Sequence, residues 1–301
     1  MAAEISYPMI LDGGLSNVLE KFGCDLHHDL WTAKLIQSNP ELIIKAHTAY
    51  LEAGALCITS SGYQATLEGF LQLGISKTQA QKLLMRSVDL AIRARDLFVS
   101  KNKIAHPIYV AASMGPYGAF LADGSEYRGN YNVSDVQLSL FHASRIDLLQ
   151  SSSADFFAFE TIPSFREVKV LSALLKATSK PSWISFSCKN EIYLNDGNKI
   201  SDAAKLIANH PAVFAIGANC TAPKYISNII QTLKVAAPNK KIIVYPNSGE
   251  VYHSESKSWF GMSDPAAFEK MAREWHKIGA DIIGGCCRIG PEYIDKIRSL
   301  M

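Results

Sequence analysis

The sequence predicts an α/β protein of the (β/α)₈ barrel type, built as one domain over residues 1–301. Two observations predict it. Short β-rich runs alternate with helical patterns along almost the whole chain, giving eight strand–helix pairs. The runs are also near-continuous in apolar residues, as expected for parallel strands covered on both faces. Eight such units in a chain of this length suit a closed barrel. An open doubly wound sheet would want a glycine fingerprint after its first strand, and "LDGGLSNVLE" does not supply one.

The elements follow in order. "PMILDGG" (8–14) is the first strand, and "ELIIKAHTAYLEAG" (41–54) is a helix with a glycine stop. "ALCITSS" (55–61) precedes a long helix near 78–99, and "PIYVAASMGP" (107–116) is the third strand. A helix near 134–150 leads to "ADFFAFETIP" (154–163), and one near 164–177 leads to "PSWISFSC" (181–188). Helices near 200–209 and 223–236 flank "AVFAIGANC" (212–220), and "KIIVYPNSG" (241–249) comes next. A helix near 264–278 runs into "ADIIGGCC" (280–287), and a last helix covers 291–300. Residues 115–133 form a long segment rich in Gly and Tyr, and a loop of that length is often functional.

Composition narrows the function. The chain is 48% hydrophobic and 19% charged, with a formal net charge of +2. That is ordinary for a globular core and gives no basic concentration suited to nucleic acid or to a membrane surface. No apolar stretch is long enough for a membrane helix, and the first residues lack the pattern of a secretory signal. The expectation is a cytoplasmic protein with reduced thiols. Six cysteines are too few for a disulfide scaffold.

In a barrel of this kind the C-terminal ends of the strands form the working face. Cys220 ends the sixth strand, while Cys286 and Cys287 end the eighth. Three thiolates converging there match a zinc site with one open position, the arrangement of a catalytic metal. Gly284 and Gly285 are expected to bend the chain so that both neighbouring sulfurs face one ion. A zinc carrying three thiolates suits activation of an incoming thiol better than activation of water. Glu160 ends a nearly all-apolar strand, where a carboxylate needs a partner such as a substrate ammonium. Asp12 precedes two glycines that allow close backbone approach, although it also suits a turn or a helix cap. Cys24, Cys57 and Cys188 read as packing residues. The histidines His27, His28, His47 and His253 show no metal spacing.

At these residues the chain resembles the homocysteine S-methyltransferases: "LDGG" near the start, "FET" ending strand four, "GANC" ending strand six and "GGCC" ending strand eight. The likeness covers essentially the whole chain. It implies a barrel that holds zinc through Cys220, Cys286 and Cys287 and methylates the sulfur of homocysteine to give methionine. It further implies homocysteine binding at Asp12, Gly13, Glu160 and Asn219, with no catalytic side chain beyond the zinc-activated substrate thiolate. The 115–133 segment is similar to the branch that uses S-methylmethionine, sometimes also S-adenosylmethionine, more than to the betaine or cobalamin branches. Met114, Tyr117, Phe120 and Tyr127 are the expected donor-side residues, the aromatic ones by cation–π attraction to a sulfonium. The expected partners are small molecules only. Two other readings stay open: a zinc methyltransferase for another small thiol or selenol, and a non-catalytic barrel whose cysteines sense metal or redox state.

Overall fold

The computed structural model describes residues 5, 7–24, 35–249, 251–253, 258–260 and 264–301. Its centre is an eight-stranded parallel sheet. The strands are β1 (Met9–Ile10), β2 (Cys57–Thr59), β3 (Tyr109–Met114), β4 (Phe156–Ile162), β5 (Ser182–Phe186), β6 (Val213–Asn219), β7 (Lys241–Tyr245) and, after the antiparallel hairpin β8 (Val251–His253) and β9 (Ser258–Phe260), β10 (Ile282–Ile283). Neighbours run β1–β10–β7–β6–β5–β4–β3–β2. The ring closes between β1 and β2 through a parallel bridge from Leu11 to Cys57, flanked by Leu56 N–H to Ile10 O (2.8 Å) and Asp12 N–H to Cys57 O (3.0 Å). The barrel expectation therefore holds.

The order of elements follows the alternation read from the sequence, with additions. A short helix, α1 (Leu15–Lys21), follows β1 directly, and α2 (Leu35–Ser38) stands before α3 (Pro40–Glu52). The first crossover thus carries more than the single helix expected. α4 (Leu67–Gln72) precedes the long α5 (Lys77–Asn102). The 115–133 segment is structured: it holds α6 (Tyr117–Leu121) and a 3₁₀ turn at Ser125–Tyr127. The outer ring continues with α7 (Asp135–Leu149), α8 (Phe165–Leu174), α9 (Ile200–Ile207), α10 (Ile226–Ala236), α11 (Pro265–Ile278) and α12 (Pro291–Ile297). Side-chain caps set several helix starts: Ser76, Ser134 and Ser164 each accept a backbone N–H from the residue three positions on. Among the described residues no helix is long and apolar enough to cross a membrane.

Strand periodicity places the site. Side chains alternate between barrel interior and helix layer. The interior cluster contains Met9, Cys57, Ala111, Phe156, Ala158, Trp183, Ala215 and Ile243. The helix-facing layer takes the residues between them: Ile10, Ile58, Val110, Ala112, Phe157, Phe159, Ile184, Ile216 and Val244. Further along each interior row the side chains turn polar, two residues on at Ser113 on β3, Glu160 on β4, Ser185 on β5 and Tyr245 on β7, and four residues on, past Gly217, at Asn219 on β6. The apolar floor ends there, and a buried polar layer begins at the C-terminal mouth.

Candidate active site

Each polar side chain in this layer is held by neighbouring strands. Asp12, 3% exposed, lies just past β1, where its carboxylate accepts the backbone N–H of Thr59 at 2.7 Å and the Thr59 hydroxyl at 3.1 Å. It therefore spans the seam where the barrel closes. Burial, with a further push from the charge of Glu160, holds its carboxyl well above the usual range despite the Thr59 bonds. Glu160 accepts hydrogen bonds from the Ser113 hydroxyl and from Tyr245. Burial still raises it from 4.5 to about 7. Two buried carboxyl groups sensing one another, with no cation paired to either among the described residues, form a ready seat for a substrate ammonium.

Asn219 has a different character. Its amide oxygen accepts from Thr161 N–H (2.6 Å) and the Ser185 hydroxyl (2.8 Å), while its nitrogen donates to the Thr161 hydroxyl (2.8 Å). That nitrogen also lies 3.8 Å from Cys286 Sγ. The amide ties the ends of β4, β5 and β6 together beside the sulfurs.

The three cysteines converge as the sequence suggested. The Sγ atoms of Cys220, Cys286 and Cys287 all lie within 4.8 Å of one another. Cys220 and Cys286 are joined sulfur to sulfur, and Cys287 Sγ stands 3.8 Å from Cys220 Sγ. The bend that brings them together differs from expectation. Gly284 and Gly285 are not among the glycines with positive φ; they are required for space, since a Cβ at 284 would press on Leu11 and the Asp12 carbonyl, and one at 285 on Ile289. The left-handed residues are instead Cys220 (φ 45°) and Arg288 (φ 66°), with Thr161 (φ 62°) at the end of β4. Non-glycine residues in that region cost about 1–3 kcal/mol each and gather at functional sites.

The donor set fits zinc. Three sulfurs from two strand ends leave one tetrahedral position for a substrate. Burial holds the Cys287 thiol up at about 12, so a divalent cation is what would ionise it at neutral pH. The Cys220–Cys286 pair must be reduced before all three thiolates exist. Cys57 and Cys188 are buried in the apolar clusters with their thiols pushed up by burial, in keeping with packing. His47 is buried on α3 with neither ring nitrogen partnered among the described residues, also a packing role. His27 and His28 lie outside the described residues, as does the side chain of His253.

The expected donor-side residues divide. Met114 follows inward-facing Ser113 and packs in the helix layer. Tyr117 and Phe120 form a ring cluster with Phe141 at centroid distances of 5.0 and 5.8 Å, and Tyr117 also meets Tyr131 at 5.6 Å. Tyr127 alone of the four reaches the sulfurs: its hydroxyl hydrogen-bonds to Cys287. Behind the segment stands Glu167 on α8, fully buried, which accepts from Tyr117 N–H (2.8 Å), Tyr131 OH (3.0 Å) and His142 Nε2 (2.7 Å). Arg145 completes this brace by donating to the Gly115 carbonyl (2.9 Å). Sequence reasoning missed Tyr63, whose hydroxyl meets Thr161 and lies within the field of Glu160 and Cys287. It also missed Tyr245 and Glu167; for Tyr245, the period-two pattern along β7 was the available signal.

The family model described as homocysteine S-methyltransferase matches residues 9–301. The chain belongs to the homocysteine S-methyltransferase family. It is therefore a methyltransferase with homocysteine as acceptor. Among its relatives, homocysteine S-methyltransferase YbgG of Bacillus subtilis is 45% identical over 299 residues, covering 98% of this chain and 95% of that protein. The Escherichia coli homocysteine S-methyltransferase is 40% identical over 293 residues, covering 97% and 94%. Among solved structures, the metallated form of the Escherichia coli homocysteine methyltransferase MmuM superposes with a TM-score of 0.88 at 37% identity, covering 97% of this chain and 96% of that one. The oxidized form of MmuM gives the same TM-score at 38% identity.

Proposed function

We propose that this chain transfers a methyl group from a sulfonium donor, S-methylmethionine foremost and S-adenosylmethionine second, to the thiol of L-homocysteine with zinc as cofactor, giving methionine. The observation that carries the reading is the convergence of Cys220, Cys286 and Cys287 within 4.8 Å, beside the buried carboxyl pair Asp12 and Glu160. The whole chain serves as one homocysteine-binding barrel domain, and a reducing cytoplasm suits its three thiols.

Cys220, Cys286 and Cys287 would hold the metal. When bound, zinc supplies the Lewis acidity that keeps the homocysteine sulfur as a thiolate at neutral pH. Asp12 and Glu160 take the homocysteine ammonium, whose charge draws both carboxyl groups back towards the ionised form in that complex. Gly13 lets the chain next to Asp12 pack against the rest of the barrel, since a Cβ there would overlap the Ile289 carbonyl and press on the Tyr50 ring. Asn219 holds the frame through Thr161 and Ser185. The homocysteine sulfur attacks the methyl carbon; an S–C bond forms, the sulfonium C–S bond breaks, and its electron pair leaves with the neutral thioether. The leaving group needs no proton, which accounts for a site without a dedicated general acid. Orientation of two bound amino acids carries much of the remaining barrier.

The test is methionine formation by the reduced, zinc-loaded protein from homocysteine with S-methylmethionine, S-adenosylmethionine or betaine. Turnover with S-methylmethionine is expected, and Cys287→Ser should lose bound zinc and activity together. Methionine from betaine alone would overturn the donor assignment. Full activity in the zinc-free Cys287→Ser variant would overturn the role of the metal.

A further inference from the structure

The acceptor seat leaves Glu126, a largely buried carboxylate near the sulfurs, unused. Glu126 sits in the 3₁₀ turn Ser125–Tyr127, and that turn is pinned: a Cβ on Gly118 would overlap the Glu126 backbone nitrogen. Glu126 Oε2 is buried and has no hydrogen-bond partner among the described residues. Its carboxylate meets its own backbone N–H and feels the charges of Asp123 and Arg128. The cation two residues away is already engaged, since Arg128 donates to Asp123 Oδ2 (3.1 Å), the Asp123 carbonyl (3.1 Å) and Ser125 Oγ (2.9 Å). A buried acceptor with an open lone pair is costly, and such groups in native proteins ordinarily await a donor.

Its surroundings say where that donor comes from. The charge of Glu126 acts on Tyr63, Tyr127 and Cys287. Asp12 instead answers to Glu160. Besides the Asp12–Glu160 pair, a second anionic group thus stands by Cys287, and the proposed reaction brings together two α-amino acids with one ammonium each. Asp12 and Glu160 take one of these. A sulfonium has no N–H to donate and suits the faces of Tyr63 and Tyr127. An ammonium has three N–H groups and suits a carboxylate with a vacant oxygen.

We propose that Glu126 is a specificity-determining residue that accepts the α-ammonium of the methyl donor, so that the site selects sulfonium donors that are themselves amino acids. The assignment rests on the sulfonium-donor reading above. It is tested with S-methylmethionine and with (3-carboxypropyl)dimethylsulfonium, the same molecule lacking only the amino group. The parent enzyme should show a donor KM about 10- to 100-fold higher for the desamino compound, the range expected for one hydrogen bond to a charged group. Glu126→Gln should raise the S-methylmethionine KM by a similar factor and leave the desamino KM within about threefold, with homocysteine KM and zinc content unchanged. Glu126→Asp keeps the charge and should retain discrimination between the two donors, which separates recognition from a general effect on folding. An unchanged S-methylmethionine KM in Glu126→Gln, or an equal loss with both donors, would overturn the assignment while leaving the reaction intact. No methionine from S-methylmethionine with the parent enzyme would overturn the reaction reading and the assignment with it.

Discussion

Glu160→Gln should make the substrate-free protein more stable at neutral pH while disabling it. Glu160 is 8% exposed, and burial raises its carboxyl from 4.5 to about 7. As pH climbs from 4.5 towards 7, the unfolded chain loses this proton first, so the folded protein is the state holding more protons. Stability from this group therefore falls across that window, by about 1.4 kcal/mol per pH unit and about 3 kcal/mol in all. The glutamine does not titrate and keeps an oxygen for Ser113 and Tyr245, though its amide nitrogen gains no evident acceptor, so a net gain of about 1–3 kcal/mol is expected above pH 7. For a chain of this size that is a rise in melting temperature of a few degrees, about 2–5 °C. Below pH 4.5 no advantage should remain. The relief of Asp12, which feels the charge of Glu160, acts in the same direction. The assay is thermal unfolding of the reduced protein from pH 4 to 8, with and without homocysteine. The parent should gain stability from homocysteine at pH 8, and the variant should gain little. A variant no more stable than the parent at pH 8, a difference that ignores pH, or an equal response to homocysteine would refute the reasoning.

Two further predictions concern the frame. Gly13→Ala drives a Cβ onto the Ile289 carbonyl and should lower stability by about 1–3 kcal/mol while raising homocysteine KM; an unchanged KM would show that the seat lies elsewhere. Glu167→Ala removes the shared acceptor of Tyr117 N–H, Tyr131 OH and His142, and should lower stability by about 3–5 kcal/mol in urea unfolding, with donor KM rising more than homocysteine KM.

The barrel was legible because eight apolar runs separated by helical patterns admit few other arrangements. The convergence of the sulfurs and the polar layer beside them were legible for a related reason. A polar residue ending a buried strand stands out against its own strand, as Asp12, Glu160, Asn219 and the cysteines do. The packing of the 115–133 segment was not legible. Tyr117 and Phe120 fall three apart on α6, and helical spacing turns both towards Phe141. Met114 was assigned to the mouth by position alone, although its neighbour Ser113 points inward and adjacent strand residues face opposite ways. Glu126 lies in a turn with no period to mark it, and its burial comes from packing that no local pattern encodes. The bend at the sulfurs was credited to glycines, whereas Cys220 and Arg288 adopt the left-handed conformation without any.

The bond from Asp12 to Thr59 across the closing seam has a consequence for how such an enzyme can change. On the proposed reading Asp12 both takes the acceptor and latches the barrel, so a new acceptor must be accommodated by altering a wall that the fold depends on. On the same reading the donor meets the 115–133 segment, which Glu167 braces from behind. Substitutions there reshape one turn and leave the latch closed. A half tied to the closing of the barrel is, on that reading, separate from a half that can change with the methyl donor.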